Sequence, residues 1–174
     1  MADGTLKVGT ITNSAGSGNI AIGSGVTLLS NVPAFEATMS ANQGLTSGAT
    51  TKVEFDTETF DTDGMYDHST NYRFTPTVVG KYFFFSSVTF DGQAASNLSL
   101  HQLFLYKNGS LLQRVRTNPA NNYFQQGNLT FNFIDSANGT DYYEMYVYAI
   151  DTSGNPQLLG TTNSAVFGAY RIGA

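Results

Sequence analysis

A chain of 174 residues holds one domain of ordinary size, or one domain and an arm, which excludes two large domains. Its residues are 41% hydrophobic and only 12% charged, against ~25% charged in typical domains, so a core is within reach but the surface is short of charge. A net charge of −5 argues against nucleic-acid binding, which needs a Lys/Arg surplus, and the absence of cysteine excludes disulfides, thiol nucleophiles and thiolate metal sites.

The opening residues show no basic region followed by an apolar stretch, and no run approaches the ~18 apolar residues of a membrane span, so the expectation is a chain made in a cytoplasm with no membrane span. Residues 1–31 are rich in Gly, Ser and Thr, with small apolar clusters at Leu6, Val8, Ile11, Ile20, Ile22, Val26 and Leu28, and fit short strands or an extended arm better than a packed core. The composition changes at Val32-Pro33, which divides an arm (1–31) from a domain (32–174).

In the domain the period-2 alternation of strands takes over. In Gly80-Lys81-Tyr82-Phe83-Phe84-Phe85-Ser86-Ser87-Val88-Thr89-Phe90, alternation places Tyr82, Phe84, Val88 and Phe90 on one face and Phe83 and Phe85 on the other. A sheet in a two-layer sandwich meets the core on one face only, so the second apolar face must be covered by an arm, by a longer loop of the same chain or, most economically, by another subunit. Leu98, Leu100, Leu103 and Leu105 lead into Asn108-Gly109, which supplies the two positive φ angles of a tight hairpin before Leu111 and Leu112. Leu129, Phe131 and Phe133 alternate with polar residues until Asp135-Ser136-Ala137-Asn138-Gly139 is expected to break the run. Met145, Val147 and Ala149 form a further strand, ended by the turn cluster Asp151 to Pro156. No apolar period of 3.6 residues is sustained, so the chain reads as all-β, an antiparallel two-sheet sandwich or jelly roll.

The spacing Phe55, Asp61, Tyr66, Phe74, Gly80-Lys81-Tyr82-Phe83-Phe84 resembles the aromatic signature of the C1q globular-head family, the jelly rolls related to tumour necrosis factor. Seven residues rather than the usual six separate Tyr66 from Phe74, and Ser86 stands where a final aromatic is expected. Pro33-Ala34-Phe35-Glu36-Ala37, Lys107-Asn108-Gly109 and Phe167-Gly168 resemble the family's opening strand, central hairpin and closing strand. The resemblance covers about residues 32–174. It implies a homotrimer, with Phe55, Tyr66, Phe74, Tyr82, Phe83, Phe84, Phe85 and Phe167 divided between the core and a three-fold interface.

Gly4 to Gly16, with Lys7-Val8-Gly9-Thr10-Ile11, resembles the opening of bacteriophage virion proteins. The resulting expectation is a non-enzymatic phage structural protein on the virion surface, a fibre or decoration protein whose arm docks onto other virion subunits and whose head binds a host receptor or glycan. A passive capsid cement protein and a secreted bacterial adhesin or ligand-binding module are the alternatives. Six of the thirteen acids lie between 54 and 67. Asp61 and Asp63 are either calcium ligands, since some members of the family bind calcium, or part of a solvated acidic loop, because the rest of a calcium-loop pattern is missing. His68 and His101 read as surface or satisfied side chains rather than general bases, and no nucleophile elbow or zinc motif is present. No catalytic residue and no resident cofactor are expected. Tyr106, Tyr123, Tyr142, Tyr143 and Asn121-Asn122 are candidates for a sugar- or protein-binding surface, with core packing as the competing account.

Overall fold

The computed structural model describes Ser24 and residues 32–160 and 164–174. The expected arm, residues 1–31, lies outside the described residues apart from Ser24. Thirteen strands are present among the described residues: β1 (Ala34–Thr38), β2 (Gln43–Gly44), β3 (Thr50–Lys52), β4 (Thr57–Asp61), β5 (Tyr66–Asp67), β6 (Arg73–Phe74), β7 (Gly80–Asp91), β8 (Leu98–Lys107), β9 (Ser110–Thr117), β10 (Gln126–Ala137), β11 (Tyr143–Asp151), β12 (Gln157–Leu159) and β13 (Ala165–Gly173). They form two antiparallel sheets. One has the order β2-β12-β7-β13-β1-β4, with β10 also pairing β7, and the second has the order β5-β6-β11-β8-β9, with β3 also pairing β11.

The aromatic ladder sets the core between the sheets. Phe35 of β1 stacks on Tyr66 and Phe74 at centroid distances of 4.7 and 4.5 Å and meets Phe167 edge-on at 5.1 Å. Phe74 continues to Tyr82 and Phe84, and Phe84 to Tyr143. Offset and edge-to-face pairs at these separations add attraction beyond simple burial. The Tyr66 hydroxyl donates to the Phe55 carbonyl at 3.1 Å, which lets a phenol lie in the core without an unpaired donor. Ser86, in the expected place of an aromatic, is buried and donates its hydroxyl to the Val166 carbonyl at 2.8 Å, tying β7 to β13.

Two glycines permit close approach. A Cβ on Gly80 would lie 2.4 Å from the Gly173 carbonyl oxygen, and one on Gly168 would lie 2.2 Å from the ring of Phe85. The hairpin expected at Asn108-Gly109 is present, with φ of 52° and 75° and Lys107 opposite Ser110. One boundary differs from expectation. Asp135-Ser136-Ala137 does not break β10; the strand continues through Ala137 because the twelve residues of β7 offer a partner at each position down to Gly80. The break falls at Asn138-Gly139, where Gly139 takes φ 82°.

Candidate functional surface

Among the described residues, the outer face of the sheet centred on β7 carries a row of exposed and half-buried apolar side chains. Tyr82, Phe84, Val88 and Phe90 are fully buried between the sheets, while Phe83 and Phe85 point away from the core and are half-buried. Register builds the face around them. Phe83 lies between Ile134 of β10 and Tyr170 of β13, with its ring 5.3 Å from that of Tyr170. Phe85 lies between Asn132 and Gly168, and Glu36 of β1 then Phe60 of β4 continue the row. Ile134, Tyr170 and Phe60 are exposed at 53, 43 and 45%. Toward the end of β7 the face turns polar: the Asn128 amide donates to the hydroxyls of Ser87 and Thr89 at 3.1 and 3.0 Å, and Thr130 donates to the Asn128 carbonyl oxygen at 3.1 Å. The face is therefore half apolar and half hydroxyl and amide.

Phe55, Tyr66, Phe74, Tyr82, Phe84 and Phe167 belong to the core, leaving Phe83 and Phe85 as the members of the expected interface set on an outer face. Asp61 is used as a turn anchor, accepting from the backbone N–H groups of Asp63 and Tyr66 at 3.1 and 2.6 Å. Among the described residues no group of three or more His, Asp or Glu side chains is placed to hold a metal ion. Asp67 anchors the next turn through Ser69, Thr70 and Asn71, and these N–H donors hold its carboxyl well below the usual carboxylate range. Of the candidate tyrosines, Tyr143 is fully buried, whereas Tyr106, Tyr123 and Tyr142 are partly exposed.

Two polar groups lie deeper than sequence pattern implies. His101 is buried rather than superficial, packed against the rings of Phe90 and Phe124 and against Gly127, and its Nδ1 has no hydrogen-bond partner. Burial pushes its pKa down to about 4. The folded state thus resists protonation that the unfolded chain accepts near 6.5, so this contribution to stability is complete above pH 6.5 and is lost as pH falls toward 4. Thermal unfolding between about pH 7 and 4 should show a steeper fall in Tm for the wild type than for His101→Phe. Equal slopes would rule out His101 as the cause. Asp151 is common to both chains and cancels in the comparison.

The second group is Asn97, with Asp91 and Asp151, at the junction of the loops after β7 and β11. The Asn97 amide donates to the carbonyls of Gly92 and Ser153 at 2.7 and 2.8 Å, while its oxygen accepts from Thr152 Oγ1 and from the Ser153 N–H. Burial, reinforced by the charge of Asp91, raises the pKa of Asp151. The only sequence signal here is an Asn-Leu-Ser tripeptide in a chain already rich in such residues.

Two antiparallel sheets closed over an aromatic ladder, with a long central strand between an opening and a closing strand, define a jelly roll of the C1q and tumour-necrosis-factor type. No protein-family model matches the chain, and no curated protein does. Among solved structures the chain is similar to murine APRIL at pH 8.0, with a TM-score of 0.61 at 10% identity over 81% of this chain and 99% of that one. It is also similar to murine APRIL at pH 5.0, with a TM-score of 0.60 at the same identity and coverage. The globular domain of zebrafish complement 1qA matches with a TM-score of 0.56 at 16% identity, over 80% of this chain and 97% of that one. These likenesses establish the fold alone.

Proposed function

We propose that this chain is a non-enzymatic structural protein of a bacteriophage particle, assembling as a homotrimer on the virion surface through its C1q-like domain (32–174) and attached to other virion subunits by an arm (1–31). The observation that carries the self-association is the outer face of the β7 sheet, where Phe83, Phe85, Ile134 and Tyr170 form one contiguous apolar area. Such a patch on a chain with 12% charged residues is what an interface leaves when its partner is taken away. The phage setting is supported by the opening Lys7-Val8-Gly9-Thr10-Ile11 element. Host-receptor recognition at the exposed end of the trimer follows from the ligand-binding habit of the family the domain resembles.

Light scattering on the purified chain at micromolar concentration should return three times the chain mass, and a stable monomer would sink the trimer. Labelled antibody against residues 32–174 should decorate the outside of intact particles. Particles that carry none of the chain would remove the virion role while leaving the trimer standing.

A further inference from the structure

Among the described residues, the apolar face contains one acidic side chain without a polar partner. Glu36 stands in the row of Phe85, Gly168 and Phe60, is partly buried, and makes no ion pair or hydrogen bond through its carboxylate among the described residues. Covering that face with apolar surface would strand a desolvated charge, which is strongly unfavourable unless the partner brings a cation.

The chain itself holds suitable cations, and elimination identifies them. Lys52 is paired with Glu144, and Lys107 with Asp135 and Asp141. Lys81 and Arg171 donate to the carbonyls of Ala174 and Val79, and Arg73 lies over the ring of Tyr142 at 4.8 Å. Among the described residues this leaves Arg114 and Arg116, whose guanidinium groups have no partner. Both are exposed, two residues apart on the same face of β9.

Position makes them a match. Strand β9 ends one sheet and β10 ends the other, and the two pack against each other, so together they form one lateral edge of the sandwich. Glu36 lies on the flat face of the β7 sheet, toward its opposite side. Two different patches of one chain that fit each other make a heterologous contact, and a heterologous contact closes into a ring when its rotation divides a full turn. We propose that Arg114 and Arg116 of one copy dock onto Glu36 of the next, so that the β9 edge of each subunit covers the apolar face of its neighbour. The proposal rests on the self-association argued above and names the charge pairing that orients it. Arginine suits the role because its planar, weakly hydrated group tolerates burial against Phe85 and Phe60 better than lysine would.

The test is a charge reversal with a compensating swap. Three chains, Arg114→Glu/Arg116→Glu, Glu36→Arg and the combination of all three, are compared with the wild type by sedimentation over a dilution series, with near-ultraviolet circular dichroism confirming that each is folded. Each reversal alone should move the concentration at which the oligomer falls apart upward by at least tenfold, and the combination should recover most of that loss. Midpoints within twofold of the wild type, or a combination no better than either reversal, would overturn the pairing; the arginines would then only protect an edge strand from unwanted pairing. A wild type that is monomeric throughout would overturn the self-association itself and the pairing with it. A wild-type oligomer indifferent to the reversals overturns the pairing alone.

Discussion

Replacing Phe35 with alanine should lower the stability of the domain by about 3–5 kcal/mol, the range for removing a buried aromatic ring. Phe35 is fully buried and joins both layers: its ring faces Tyr66 and Phe74 at 4.7 and 4.5 Å and meets Phe167 at 5.1 Å. Its backbone pairs with Ala169 of β13 on one side and Asp61 of β4 on the other, so collapse around the missing ring would have to move two strands. Poor collapse places a substitution at the costly end of its range, because the cavity persists. For a domain near this size each kcal/mol shifts Tm by roughly 2–4 °C, so a fall of roughly 10 °C is expected at matched protein concentration. Phe35→Leu, which keeps most of the volume but loses the stacking geometry, should fall between the two. A shift under ~3 °C for the alanine variant, on the same scale, would show that the aromatic ladder is not the principal source of cohesion.

Most of this ladder is legible in the sequence itself. Strand alternation alone divides Tyr82, Phe84, Val88 and Phe90 from Phe83 and Phe85, because successive side chains of a pleated strand have no other choice. Asn108-Gly109 announces its turn because positive φ is inexpensive only for a few residue types. The end of β10 is not legible in the same way, because Asp135 and Ser136 look like turn formers in isolation. Their conformation is decided by the length of β7, and that information lies far away in the chain. Local preference loses to a ladder partner.

The surface is legible only in part, for a related reason. That Phe83 and Phe85 need cover follows from one strand, whereas the row Asn132, Phe85, Gly168, Glu36 and Phe60 joins residues of five strands and exists only once register is known. Gly168 shows the difference well. In sequence it is part of a closing-strand resemblance; in the structure it is the space into which the Phe85 ring folds, since a Cβ there would lie 2.2 Å from that ring. His101 reads as either a surface or a satisfied side chain because one polar residue in an apolar strand gives no sign of which face it occupies. The registry of β8 turns it toward Phe90 and Gly127.

On the proposed self-association through the outer face of β7, Phe83→Glu should give a folded monomer at micromolar concentration. Phe83 occupies the centre of the apolar half of the outer face, flanked by Ile134 and Tyr170, and contributes nothing to the core between the sheets. In an isolated subunit the new carboxylate would reach water, so the substitution should cost the monomer little, as surface changes usually do. In the assembled form it would be desolvated beside Ile134 and Tyr170 under the neighbouring subunit. Losing a central aromatic anchor typically costs ~2 kcal/mol or more, and the desolvated charge adds to that. Since each 1.4 kcal/mol is a factor of about ten in affinity, the assembly should weaken by at least about a hundredfold. Thr50→Glu provides the control, because Thr50 is exposed on β3 of the other sheet, separated from β9 by β11 and β8 and away from Phe83. Light scattering and thermal unfolding at one concentration separate the outcomes. A Phe83→Glu chain that is monomeric and cooperatively folded, beside a Thr50→Glu chain of unchanged mass, places the interface on the β7 sheet. A Phe83→Glu chain that keeps the mass of the wild type would mean that some other surface holds the copies together and that this face meets solvent or a different partner.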